Sequence, residues 1–129
     1  MTYEDIKKEC DAIQDELETL LPDGINEVIE RMKYFSVYMS RSGYLLAEAK
    51  KIARSKKSSE ISEMIVKIAK ENFLSAKAQN ALVDTIAADE LYLVDRLDRI
   101  NAACTHTIDV CRTIISKEKA EMSYLQYQK

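Results

Sequence analysis

The sequence predicts an all-α protein, and three observations carry that prediction. Apolar or small residues recur at Leu82, Ile86, Leu93, Leu97, Ile100, Cys104, Ile108, Cys111, Ile115 and Met122. Their spacings of three, four or seven keep them on one stripe of an α-helix. Two glycines and one proline in 129 residues supply too little turn material for an all-β chain. A composition of 47% hydrophobic and 32% charged residues is that of a globular rather than a disordered chain. The expected architecture is a single-domain antiparallel helical hairpin or bundle, oligomeric, with one very long C-terminal helix.

The first helix is expected over about residues 3–21. Thr2 followed by Asp5 makes an approximate capping box, and Ile6, Ile13, Leu17, Leu20 and Leu21 mark one apolar face. Pro22-Asp23-Gly24 ends it. The second helix is expected over 25–55, with a core stripe of Val28, Ile29, Met32, Phe35, Met39, Leu46 and Ala53. Small residues on its neighbouring turns, Ser36, Ser40, Gly43 and Ala47, match a low-volume zone at Ala102, Ala103, Cys104 and Thr107. If these helices pair antiparallel, the two zones are expected to face each other; close packing is preferred to a ligand cavity.

Lys56-Lys57-Ser58-Ser59 breaks the pattern, and Ser58 or Ser59 caps a short third helix over 59–71. Its apolar face is Ile61, Ile65 and Ile68 with Met64. Ser75 caps the last helix, 76–122. Unbroken, the stretch from Ser75 to Met122 spans about 70 Å. That is far beyond the ~14 Å radius of gyration of a compact domain of this size, so it must kink, protrude or pack against another copy.

Net charge is −3, unevenly distributed: −8 over residues 1–30, +7 over 31–77 and −2 over the remainder. The simplest expectation is that the acidic first helix lies over the basic middle, in its own chain or a neighbour's. No apolar run is long enough to cross a bilayer, and no signal peptide is read before the first helix. Three cysteines, with Cys104 and Cys111 two helical turns apart and out of disulfide reach, suit a reduced, cytoplasmic setting. No membrane association, metal or cofactor is expected.

His106 is the only histidine, with Asp109 and Arg112 following at spacings of three. It lacks an evident nucleophile or a second ligand cluster, so neither catalysis nor metal binding is expected, and the chain reads as a non-enzyme. Lys50, Lys51, Arg54, Lys56 and Lys57 form a basic elbow suited to phosphates or simply to solvent, with nucleic acid the less favoured partner at an overall pI near 5.3. Two aromatic–arginine stripes are the sharpest signal: Arg31, Tyr34, Tyr38 and Arg41 on the second helix, and Tyr92, Arg96, Arg99 and His106 on the last. Tyrosine offers a stacking surface and arginine a fork for phosphate or carboxylate. The pairing therefore suits a small nucleotide, a host protein partner or a subunit interface. Asp95 and Asp98 are the local carboxylates able to occupy these arginines instead.

The segments Tyr38–Lys50 and Tyr92–Arg112 resemble small helical accessory proteins of phages and mobile elements of gut bacteria. That resemblance implies an accessory protein. One expected role is as an anti-defence factor that sequesters a nucleotide immune signal or blocks a host protein. The alternatives are a factor for phage DNA replication or recombination, and a purely structural assembly element.

Overall fold

The computed structural model describes residues 1–127 and is all-helical among them. In order they are α1 (Tyr3–Leu17), α2 (Ile25–Lys57), α3 (Glu60–Glu71), α4 (Ala76–Ile86) and α5 (Ala88–Tyr127). Helices α2 and α5 form the principal pair, and α1 packs against both. Helices α3 and α4 make a hairpin joining the end of α2 to the start of α5. One core cluster unites Ile6, Cys10 and Ile13 of α1 with Phe35, Leu45 and Ala49 of α2 and Leu93, Leu97, Ile100, Cys104 and Ile108 of α5. A smaller one joins Val28 to Cys111 and Ile115 at the other end of the α2–α5 pair. All three cysteines are buried and free.

The start of α1 is as expected. Thr2 accepts from the Asp5 amide at 3.2 Å while Asp5 accepts from the Thr2 amide at 3.0 Å, two orphan donors satisfied reciprocally. The helix stops at Leu17, earlier than expected, and Leu20 does not join its apolar face but stands 91% exposed in the following turn.

The long C-terminal helix is not continuous. It breaks at Ala87, whose φ of −101° and ψ of 23° end α4, while its carbonyl accepts from the Leu91 amide to begin α5. No glycine or proline marks this point. Instead the end of α2 grips both sides of it: Lys57 pairs with Asp84 at 2.9 Å and Lys56 with Glu90 at 2.8 Å, and Ala87 itself is fully buried. The 40-residue α5 is still about 60 Å long. Helix α2 covers its apolar stripe as far as Ile115, and beyond that point Met122 of the same stripe is 54% exposed.

Two packing expectations are corrected. The small residues Ser36, Ser40, Gly43 and Ala47 are all exposed and do not face Ala102, Ala103, Cys104 and Thr107 across the pair. A Cβ on Gly43 would meet only Asn101 Nδ2, at an ordinary 3.7 Å. The seam is organised by a polar contact instead, with buried Ser42 facing Asn101. In α3 the buried positions are Ser62 and Ala69, whereas Ile61, Met64 and Ile68 are exposed. The Ser62 hydroxyl donates to the Lys56 carbonyl at 3.1 Å. This bond turns the polar side of α3 inward and leaves most of its apolar face in water.

Candidate functional site

Helix α1 decides what the two aromatic–arginine stripes become. Its residues turn by about 100° each, so Ile6, Cys10, Ile13 and Leu17 form the face laid into the α2–α5 groove. Glu9 and Glu16 flank that face on one side, Asp11 and Gln14 on the other. The first pair meets α2. Arg41 holds Glu9 through two bonds, Nε to Oε2 at 2.5 Å and Nη2 to Oε1 at 2.8 Å. Arg31 holds Glu16 at 2.8 Å and also donates to its carbonyl at 3.1 Å. The second flank meets α5, where Arg96 pairs with Asp11 at 2.7 Å. Acidic α1 therefore does lie over cations of its own chain. The partners of these arginines are α1 carboxylates rather than the neighbouring Asp95 and Asp98.

This clasp separates the stripes. Arg31, Tyr38 and Arg41 stand on the α2 side of α1 and Tyr92, Arg96, Arg99 and His106 on the α5 side; no cleft among the described residues joins the two sets. On the α2 side both guanidinium groups are ion-paired, although the buried Arg31 Nε has no acceptor among the described residues. Beyond their carboxylates, Arg31 lies 5.1 Å from the centroid of the Phe35 ring and Arg41 5.0 Å from that of Tyr44, both favourable cation–π placements. The Arg41 guanidinium is pushed up from its ordinary value by its hydrogen bonds to Glu9. Tyr38 packs edge-on against Phe35 at 5.8 Å, and burial raises its hydroxyl. Tyr34 is half exposed. A cleft of about 280 Å³ lies between Glu9, Glu16, Tyr38 and Arg41, and Arg31 also borders a groove beside the α1–α2 turn.

The α5 side is different. An open groove of about 760 Å³ runs between α1 and α5, lined by Gln14, Leu17, Tyr92, Arg96, Arg99 and His106, with Asp95 and Ala103 beside them. Arg96 is engaged: burial is the largest influence and works against its charge, but its bond to Asp11 together with the nearby Cys10, Asp11 and Tyr92 outweighs that and the guanidinium is raised overall. Arg99 and His106 make no ion pair or side-chain hydrogen bond among the described residues. Tyr92 is 66% exposed at the upper end of the groove. A helix face therefore carries an aromatic surface, one uncommitted guanidinium and one uncommitted imidazole, seven residues apart at most from cation to imidazole, over a floor of Leu17, Ile100 and Ala103.

The basic elbow also divides. Lys56 and Lys57 are the ties to Glu90 and Asp84 already described, and the hydrogen bond to Glu90 raises the Lys56 ammonium. Lys50, Lys51 and Arg54 remain exposed on α2 without an ion pair among the described residues. Sequence reasoning missed the α1 contribution, Glu9, Asp11, Gln14 and Glu16, as well as Tyr44. The seven-residue spacing of Glu9 and Glu16 was the available signal, since it puts two carboxylates on one flank of an otherwise amphipathic helix.

What the fold and groove define is an all-α protein with a three-helix core, a helical hairpin inserted between α2 and α5, and an open groove carrying Arg96 and Arg99. Comparison with protein-family models, with curated proteins and with solved structures finds no match for this chain. Among the described residues no helix is long and apolar enough to cross a membrane.

Proposed function

We propose that this chain is a non-enzymatic binding protein whose α1–α5 groove takes an anionic, ring-bearing ligand, a nucleotide in the first instance. The observation that supports this reading is the contrast between the two stripes. Arg31, Arg41 and Arg96 are ion-paired with carboxylates of α1, whereas Arg99 and His106 line an open groove and have no ion pair or side-chain hydrogen bond among the described residues. The groove falls within the range of about 300–1,000 Å³ common to small-ligand sites. A base stacked on Tyr92 contributes about 1–3 kcal/mol, and each charge-assisted bond from Arg99 to phosphate about 1.5–3 kcal/mol. After ordering costs, that supports capture on the order of micromolar. His106 has no carboxylate or nucleophile bonded to it among the described residues, which favours holding a ligand over transforming it.

In the phage setting suggested by the sequence resemblance, the protein acts as an anti-defence factor that sequesters a nucleotide immune signal. Blocking a host protein is the nearest variant, with an acidic side chain of that partner taking the place of the phosphate. Titration calorimetry against a panel of mononucleotides and cyclic dinucleotides tests the reading. We expect stoichiometric binding, recovery of the nucleotide unchanged, and a loss of tenfold or more in affinity for Arg99→Ala and Tyr92→Ala at unaltered helicity. Absence of binding to every member at millimolar concentration rejects it.

A second reading, an accessory factor for phage DNA replication or recombination, rests on Lys50, Lys51 and Arg54, which are exposed on α2 without an ion pair among the described residues. With Lys56 and Lys57 committed elsewhere the patch holds three cations. Binding through it is expected to be weak, indifferent to sequence and lost as salt rises.

A further inference from the structure

Phe73 stands in the tight turn between α3 and α4 in a conformation that aromatic residues rarely adopt. Its φ is 57°, the left-handed region, and its side chain is 96% exposed. The turn is a Schellman motif, with the Leu74 amide bonded to the Ala69 carbonyl at 3.0 Å and the Phe73 amide to that of Lys70 at 3.0 Å. Glycine is the usual occupant of this position because it alone has no Cβ to strain there. A phenylalanine here is disfavoured by backbone sterics and buries nothing within its own chain. Beside it, Ile61, Met64, Ile68, Leu74 and Leu82 are all exposed, so the hairpin presents an apolar surface with Phe73 at its tip. Lys67, Lys70 and Lys77 lie within six residues of Phe73 against one carboxylate, Glu71, and none of these lysines is in an ion pair among the described residues.

The opposite end of α2, about 50 Å away at 1.5 Å per residue, carries the complement. The turn between α1 and α2 leaves Leu20 91% exposed beside an open groove of about 520 Å³ lined by Thr19, Leu20, Pro22, Asn26, Glu27 and Glu30, with Arg31, already paired to Glu16, at its edge. From Glu9 to Glu30 there is no lysine or arginine at all, while Asp15, Glu18, Asp23, Glu27 and Glu30 are present without an ion pair among the described residues. One end thus offers an apolar groove rimmed by carboxylates, and the other an aromatic side chain flanked by lysines.

We propose that the occupant of the Phe73 surface is a second copy of this chain, docked head to tail, with Phe73 and Leu74 of one protomer seated against Leu20 and Pro22 of the next. Charge complementarity between the ends fixes the direction of docking. Because the two surfaces differ, the contact is heterologous, and repeated it yields a ring or an open string rather than a closed two-fold dimer. Contacts through a hairpin tip fall in the small, transient class of interface, below about 1,200 Å². Assembly is therefore expected at roughly 100 µM and above rather than at nanomolar concentration.

Light scattering of the wild-type chain and of two variants, Phe73→Gly and Leu20→Asp, tests this. The wild type should show a mass that rises with concentration beyond twice 14.8 kDa and falls again when salt is raised from about 50 to 500 mM. Phe73→Gly keeps the turn unstrained and Leu20→Asp lies in an exposed turn, so both should stay folded by circular dichroism yet remain monomeric. Mixed in equal amounts, they should form a heterodimer that grows no further, since each retains the end the other lacks. A monomeric wild type at millimolar concentration overturns the proposal, as does assembly that survives Phe73→Gly. Two dead variants that fail to complement also overturn it, as does a wild type that stays monomeric but sediments with anionic vesicles.

Discussion

Asn101 of α5 donates from Nδ2 to Ser42 Oγ of α2 at 3.0 Å and to the Met39 carbonyl at 2.8 Å. Ser42 is fully buried and itself donates to the Met39 carbonyl at 3.0 Å. This is a buried polar contact within the α2–α5 seam, and a buried polar pair of this kind fixes the register of two helices because a slip leaves both groups unsatisfied. Replacing Asn101 with Ala should cost about 1–3 kcal/mol in chemical denaturation. Ser42→Ala, which removes a smaller group, should cost about 1 kcal/mol. The double variant should cost less than the two together, which a double-mutant cycle reads directly.

The two stripes should respond oppositely to mutation. Arg31→Ala removes the grip on Glu16 and exposes Phe35, so the midpoint of thermal unfolding should fall, by the equivalent of about 0.5–1.5 kcal/mol. Nucleotide affinity should be nearly unchanged in that variant. Arg99→Ala touches no ion pair and should leave the midpoint where it is while affinity drops. Calorimetry and thermal scanning on the same two preparations check both statements; a reversed pattern would place the ligand on the α2 side of α1.

Phe73→Gly should raise stability, by about 1 kcal/mol, because the left-handed turn position no longer carries a side chain. The measurement is the urea midpoint at a protein concentration low enough to keep the chain monomeric. A stabilising loss of a large aromatic residue identifies it as kept for something other than the fold.

Alkaline pH should unfold the protein before mild acid does. Burial raises the Cys10, Cys104 and Cys111 thiols above their ordinary 9.0, and Tyr38 and Lys56 are raised as well. A group whose folded value is raised contributes stability that is fully present below its unfolded value and is lost as pH rises through the folded one. All five groups act in the same direction, so stability should be level through neutrality and decline above about pH 9. Thiol titration at pH 8 should find the three cysteines slow to react until denaturant is added.

Substitution of core residues bears on the fold alone. Leu97 is fully buried in the main cluster, and Leu97→Ala should cost about 2–5 kcal/mol, read from denaturant titration. Leu97→Glu should fail to fold, since it buries a charge with no partner nearby.

The periodicity of the chain determined the helices, because a stripe recurring every three or four residues is a local property that only one backbone period accommodates. The sequence likewise marked Thr2 and Ser75 as caps and left Ser58 or Ser59 for α3, where the structure uses Ser59, and it carried the apolar registers of α1 and α5 from Ile6 to Ile13 and from Leu93 to Ile115. It also made visible that an acidic N-terminal segment would meet basic partners. What only the tertiary structure decided were the features that depend on which surface ends up opposite which. The break at Ala87 has no glycine or proline to signal it, and lies where Ala87 is fully buried and Lys56 and Lys57 pair with residues on either side of it. The inward turn of Ser62, with its bond to the Lys56 carbonyl, and the exposure of Ile61 and Ile68 run against the helix's own pattern. The division of two similar aromatic–arginine stripes into an ion-paired one and an open one was fixed by α1 lying between them. Its carboxylates reach Arg31, Arg41 and Arg96, and stop short of Arg99. Side-chain chemistry sets what each residue can do, whereas the distance to a partner sets whether it is free to do it.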